Sequence, residues 1–296
     1  MLPIETTADG ITIVSLTANP SKLRGGVVVL DSWLIAELAE TLDVVAAVNP
    51  SGVILRSASE RVFVAGADLA EIDALDDLAL HRYLERGSDS FARLHRIACP
   101  TVAIIHRAAL GGGLELAMHC DGIIGVLPSA SDKPWRIGLP ECSLGICPGW
   151  GGTQMLPARI DPFDAIVQTA TGRTNLVTET PRGLFDHTCA SAPDALDAAV
   201  AWIKSHPRTQ SLDHPRALLP RASGSPAPSP EIASALARAR AALASTPASE
   251  AVLDCVAIGS ARGWSAALAA ERAHLVSLRH TPQAREKLTK FLNPTS

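Results

Sequence analysis

Two glutamates stand in apolar frames. Glu115 lies between Leu114 and Leu116 in "LGGGLELAMHCDG", and Glu141 lies between Pro140 and Cys142 in "RIGLPECSLGICPGWGGTQ". A carboxyl taken out of water resists ionisation, so its pKa climbs toward neutrality, where it can give or take a proton. A pair placed this way suits general acid–base work. Two glycine turns accompany the pair: "AGAD", Ala65 to Asp68, and the triplet Gly111 to Gly113. Each follows an apolar stretch and opens a helical pattern. Glycine lets the backbone turn sharply and lets a ligand come close. The N–H groups freed at a helix start are good donors to an oxygen carrying negative charge. Two such turns facing one another would form an oxyanion hole. Each piece alone has a plainer reading: an acid in a first helical turn suits the helix dipole, a loop carboxylate is usually solvated, and "AGAD" could be an ordinary capped turn. The case rests on their occurring together.

The elements that must position these groups alternate in type. "GITIVSLTA" reads as a strand bounded by Gly10 and Asn19-Pro20. Ser32 is placed to cap a helix with Leu34, Ile35, Leu38, Leu42 and Val45 on one stripe. "SGVILRSA" reads as a buried strand. "FVAGADLAEI" is a strand end, a turn and a helix start with Asp68 as cap. Asp77 to Ile97 spaces Leu80, Leu84, Phe91 and Leu94 as a long amphipathic helix. "PTVAIIH" and "GIIGVL" are strands on either side of the glycine triplet and its helix. This alternation predicts an α/β core with largely parallel, buried strands over residues 1–200. Residues 201–296 read as a helical region, with a Pro/Ser-rich linker, "PRASGSPAPSP", from Pro220 to Pro230. Thr281 and Pro282 mark the start of a last helix whose apolar face carries Leu288, Phe291 and Leu292.

The bulk properties exclude several classes. The chain has 296 residues, 47% hydrophobic, with a net charge of -4, enough to bury a sizeable core. No basic run points to nucleic acid or an anionic membrane. No apolar run is long enough to span a bilayer, and the N-terminus has no secretory pattern. Six dispersed cysteines, mostly in apolar stretches, fit a reducing compartment, so a cytoplasmic location is expected. Cys142 and Cys147 lack metal-site spacing, and no metal or redox cofactor is expected. No G-x-G-x-x-G or Walker motif is present.

Taken in order, "RVFVAGADLAEI", "LGGGLELAMHCDG", "RIGLPECSLGICPGWGGTQMLP" and "TGRT" resemble the signature segments of the crotonase family, the enoyl-CoA hydratases and isomerases. "RIGLPE" resembles most the hydratase half of the multifunctional fatty-acid oxidation alpha subunit, a branch of that family, and the tail "ERAHLVSLRHTPQAREKLTKFLN" resembles the segment that follows that half. The resemblance implies a crotonase-like spiral of ββα units followed by helices. It implies an acyl-CoA thioester as substrate, with CoA as part of that substrate and not a separate cofactor. It places the oxyanion-hole N–H groups on Ala67 and Gly112 and the hydratase carboxylates on Glu115 and Glu141. Ala65, Gly66, Asp68, Leu69, Gly111, Gly113, Pro140, Gly149 and Trp150 would line the binding surface. Hydration of a trans-2-enoyl-CoA is the favoured activity. The alternatives are double-bond isomerisation or another enolate-forming reaction, and a weakly catalytic acyl-CoA-binding or assembly subunit. A homotrimer is expected ahead of a monomer, although the tail resembles the branch that does not need trimers; association with a separate beta-oxidation enzyme is the alternative. Two departures stand out: Arg107, where relatives usually carry glycine, and an insertion, "LPSASDKPW", between the two glutamates.

Overall fold

The computed structural model describes residues 1–22, 25–216, 218 and 229–293. Most of the stretch read as a Pro/Ser-rich linker therefore lies outside the described residues. In chain order the elements begin with β1 (Ile4–Thr6), β2 (Ile11–Leu16), α1 (Ser32–Ala47), β3 (Gly52–Ser57), β4 (Val62–Val64), α2 (Leu69–Ala74) and α3 (Asp77–Arg96). There follow β5 (Thr101–Ile105), β6 (Ala108–Leu110), α4 (Gly112–Met118), β7 (Gly122–Val126) and β8 (Arg136–Gly138). A 3-10 turn, Glu141–Leu144, precedes α5 (Gly152–Arg159), α6 (Pro162–Thr171), β9 (Thr174–Leu176), β10 (His187–Cys189) and α7 (Ala192–Ser205). The C-terminal part is helical: α8 (Pro230–Ala242), α9 (Pro247–Arg262), α10 (Trp264–Leu278) and α11 (Pro282–Leu292).

The strands form two sheets. The larger runs β1-β2-β3-β5-β7-β10 and the smaller β4-β6-β8-β9. Among the described residues only β1–β2 and β8–β9 pair antiparallel. Three successive units, β3-β4-α2, β5-β6-α4 and β7-β8-(3-10 turn), each give their first strand to the large sheet and their second to the small one. This is the spiral of ββα units that the motifs implied. It matters for function because the three chemistry-bearing segments all follow a second strand and so converge.

The inner strands of the large sheet, β2, β3, β5 and β7, are buried on both faces, which is why they read as continuous apolar runs. Successive side chains still alternate. Ile11, Ile13, Ile54, Val102, Ile104 and Ile124 pack with Ala195, Ala199 and Ile203 of α7. Val14, Leu16, Val53, Leu55, Ala103 and Ile105 face the main core, which α1 and α3 join. The cap of α1 is Asp31, whose side chain accepts from Leu34 N–H at 2.9 Å; Ser32, the expected cap, is the first helical residue. The other caps agree with the sequence: Asp68 caps α2 and Thr281 caps α11.

The C-terminal helices dock on the core. α8 and α9 pack on α6, α10 packs on α9 and α3, and α11 packs on α2 and the 3-10 turn. Ala284 and Leu288 of α11 are buried, but Phe291, expected on the same buried face, is 58% exposed. The six cysteines are unpaired and buried. Cys142 and Cys147 lie against the tail, their Sγ atoms 3.7 Å from Ala248 O and 3.6 Å from Glu271 O. Among the described residues no helix is long and apolar enough to cross a membrane.

Candidate active site

The junctions from β4 into α2 and from β6 into α4 touch: a Cβ on Gly66 would stand 3.1 Å from Leu110 O. At the first junction, Leu30 N–H donates to Gly66 O at 2.8 Å and Asp68 N–H donates to Leu30 O at 3.1 Å. The residue between them, Ala67, is left with a backbone N–H that finds no acceptor among the described residues. At the second junction Gly111 has φ +53° and ψ -128°, a conformation closed to side-chain-bearing residues. It turns the chain so that Gly112 opens α4, and the Gly112 N–H likewise has no acceptor among the described residues. Gly112 must lack a side chain because a Cβ there would meet the Trp150 ring at 2.4 Å.

Glu115 sits in the first turn of α4, 1% exposed. Its Oε1 accepts Trp150 N–H at 2.8 Å and Gly152 N–H at 2.7 Å. Burial raises its pKa to about 7, and the N–H groups of Gly152, Trp150 and Gly149 hold it from rising further. Glu141 opens the 3-10 turn. Its Oε2 is shut off from solvent without a hydrogen-bond partner among the described residues, and its Oε1 packs on Gly111, where a Cβ would come within 2.7 Å. Burial first, and then the Glu115 charge, hold this carboxyl well above the usual range.

Both carboxylates and both unpartnered N–H groups belong to residues lining one cavity of about 300 Å³. Of the residues expected from sequence, Ala65, Gly66, Ala67, Leu69, Gly111, Gly112, Glu115, Pro140, Glu141, Gly149 and Trp150 line it. Asp68 and Gly113 do not. Asp68 is turned into the protein as the cap of α2, and Gly113 faces Val64, whose carbonyl a Cβ would meet at 2.4 Å. The sequence reading missed Leu84 of α3, Ile146, Cys147, Leu275 of α10 and Phe291 of α11. It also missed Glu271, a third glutamate with 0% exposure. The available signal was a charge on the apolar stripe Ala267, Leu275 and Leu278 of α10. Burial, and then Glu115, push the Glu271 carboxyl up to about 8.

Arg107 points away from this cavity. Its guanidinium lies 4.9 Å over the Trp135 ring and 3.5 Å from Asp132, both in the inserted segment, so the two departures from the family pattern pack on one another. Among the described residues, Asp31, Asp68 and Glu71 are close enough to share a cation. The Lys22 ammonium reaches all three at 3.1, 2.8 and 3.2 Å, so this cluster is met by a charge of the chain itself.

Such a pair of sheets, wound from ββα units around a buried carboxylate pair, is the crotonase fold. An enoyl-CoA hydratase from Bacillus halodurans shares it with a TM-score of 0.67 at 18% identity, over 97% of this chain and 98% of that one. An enoyl-CoA hydratase from Bacillus anthracis does so at 0.59 and 24%, over 98% and 95%. The sequence model of the family described as enoyl-CoA hydratase/isomerase matches residues 27–218. A fatty acid oxidation complex subunit alpha from Shewanella amazonensis is 31% identical over 239 residues, 79% of this chain and 33% of that protein. The chain thus spans about a third of the length of that relative. It belongs to the enoyl-CoA hydratase/isomerase family.

Proposed function

We propose that the chain is an enoyl-CoA hydratase, adding water reversibly across the 2,3 double bond of a trans-2-enoyl-CoA to give a 3-hydroxyacyl-CoA. The observation that carries this reading is the convergence, in one cavity, of two buried glutamates and two backbone N–H groups without acceptors among the described residues. The Ala67 and Gly112 N–H groups receive the thioester oxygen and stabilise the enolate that forms as C3 is attacked; one such donor is typically worth about 10²–10³ in rate. Glu115, whose pKa of about 7 leaves a useful fraction ionised, accepts the proton of the attacking water. The water oxygen bonds to C3. Glu141, held protonated by its burial, delivers its proton to C2 as the enolate collapses to the thioester. One proton then returns from Glu115 to Glu141 through water, and the site is reset. Hydration changes no oxidation state, so the reading calls for no metal or redox group; CoA enters with the substrate.

Isomerisation through the same enolate needs one carboxylate to shuttle a proton between C2 and C4, whereas two carboxylates on one cavity suit hydration. Crotonyl-CoA is the test substrate. Loss of the absorbance of its conjugated thioester, with formation of 3-hydroxybutyryl-CoA, is the expected result. Absorbance gained from a 3-enoyl-CoA without hydration would make the chain an isomerase. Tight CoA-ester binding without turnover would make it a binding subunit.

A further inference from the structure

The backbone strip that supplies Glu115 with its donors serves a second buried carboxylate. The Trp150 and Gly152 N–H groups reach Glu115 Oε1. The N–H groups interleaved with them turn the other way. Gly151 N–H donates to Glu271 Oε2 at 2.6 Å, Thr153 N–H donates to Glu271 Oε1 at 3.0 Å, and the Thr153 hydroxyl donates to that same oxygen. Four consecutive amides thus alternate between a glutamate of α4 and a glutamate of α10. The strip has little freedom of its own. Gly151 is held at φ +101° with the Trp264 ring against it, where a Cβ would come within 2.1 Å, and Thr153 is 0% exposed. Glu271 arrives from 120 residues away in sequence and does not line the cavity. The titratable groups acting on it or acted on by it are Glu115 of α4, Glu141 of the 3-10 turn, Cys255 of α9 and Cys147 ahead of α5; among the described residues no cation is one of them.

An apolar side chain at this position would strand the Gly151 N–H, the Thr153 N–H and the Thr153 hydroxyl in a buried place, so this carboxyl is tied to the strip although it has no counter-charge among the described residues. What it does have is four lone-pair directions matched to three donors of one strip. We propose that Glu271 is a positioning residue for hydration: by holding Gly151 and Thr153 from α10, it sets the Trp150 and Gly152 amides, and through them Glu115, so that the C-terminal tail belongs to the frame of the active site. The chemical part of this inference rests on the hydratase reading; the geometric part does not.

The test separates the two parts. Glu271→Gln keeps the shape of the side chain but must set an NH₂ group against the Gly151 or the Thr153 N–H, so the strip has to shift. Amide hydrogen exchange is measured first, on ligand-free protein. Trp150 and Gly152, which bond Glu115 and not Glu271, should exchange at least roughly tenfold faster, while amides of the large sheet stay as protected as before. Steady-state hydration of crotonyl-CoA is measured next. A misplacement near 1 Å can cost about 10²-fold, so kcat should fall on the order of 10- to 100-fold with KM held within about threefold. Thr153→Val removes one hydroxyl donor, keeps volume and backbone N–H, and should move both readouts the same way by less. It carries the test if Glu271→Gln does not fold. A folded variant with wild-type exchange at Trp150 and Gly152, or with a lowered melting temperature but unchanged kcat, would overturn the proposal. A wild-type chain inactive on crotonyl-CoA would remove the hydratase reading alone, since the exchange measurement still decides whether Glu271 positions Glu115.

Discussion

Glu141 carries the heaviest electrostatic burden of any side chain at the site, because one of its oxygens is buried with no hydrogen-bond donor among the described residues. Its folded pKa lies above its unfolded value. The stability linked to it is therefore fully present below about pH 4.3 and is lost as pH rises toward the folded value. Glu141→Gln removes the titration. The melting temperature of the variant relative to wild type should rise as pH climbs above about 4.3, and a difference that stays flat with pH would show that the carboxyl is not buried in solution. The same variant, and Glu115→Gln, should lose roughly 10²–10⁴ in hydration rate with the fold intact by circular dichroism. In the wild type, kcat/KM should climb as Glu115 ionises near pH 7 and decline at higher pH as Glu141 loses its proton. Gly112 needs a paired test. Proline is tolerated at a first helical position and removes only an N–H that the helix does not use, yet any Cβ at Gly112 collides with Trp150. Gly112→Ala carries the collision and keeps the donor. Gly112→Pro should be slower than Gly112→Ala by about 10²-fold or more, and equal rates would take the donor role from Gly112.

At the scale of elements, α11 joins the tail to the site. Leu288 and Ala284 are buried, and Arg285 pairs with Asp73. Deleting residues 280–296 should lower the melting temperature or cause aggregation, since each large apolar side chain stripped of its cover costs about 1.5–3 kcal/mol. An unchanged melting temperature and solubility would show that α11 is not docked. What could be seen of these elements in the sequence was what local chemistry dictates. The long helix after Asp76, the Asp68 and Thr281 caps and the glycine turns are all written in runs of a few residues. Of the small sheet only β4 was legible, as a strand end ahead of the Ala65–Asp68 turn; β6, β8 and β9 are three residues each, too short to show a period. Asp31 and Ser32 are both competent caps in sequence, and only the direction of the chain entering α1 selects Asp31. Within the site, the carboxylate pair and the turns could be found from their apolar frames. Glu271 shows in the sequence only as a charge on an apolar stripe, and what it does there lies in contacts made across 120 residues.

Across the whole molecule, the cavity takes walls from the α/β core and from its own C-terminal helices, through Leu275 and Phe291. A site closed in cis predicts that activity per chain does not depend on the state of association. If the chain forms the trimer suggested by its family resemblance, dilution through the dissociation range, followed by light scattering and crotonyl-CoA assay together, should leave specific activity unchanged. Activity that falls as the oligomer dissociates would show that a neighbour completes the site. The same seam between core and tail divides the cysteines. Cys142, Cys147 and Cys255 lie along it, with Cys142 and Cys147 touching Ala248 and Glu271. Cys99, Cys120 and Cys189 belong to the sheet side of the protein, with Cys120 in the main core and Cys189 under α7. Burial raises the pKa of all six thiols, so each should react slowly while the chain stays folded. The protein therefore carries two sets of latent chemical labels. A disulfide reagent will count three thiols when the tail lifts from the core and six when the chain unfolds, so partial opening and global unfolding can be told apart in a single colour reaction.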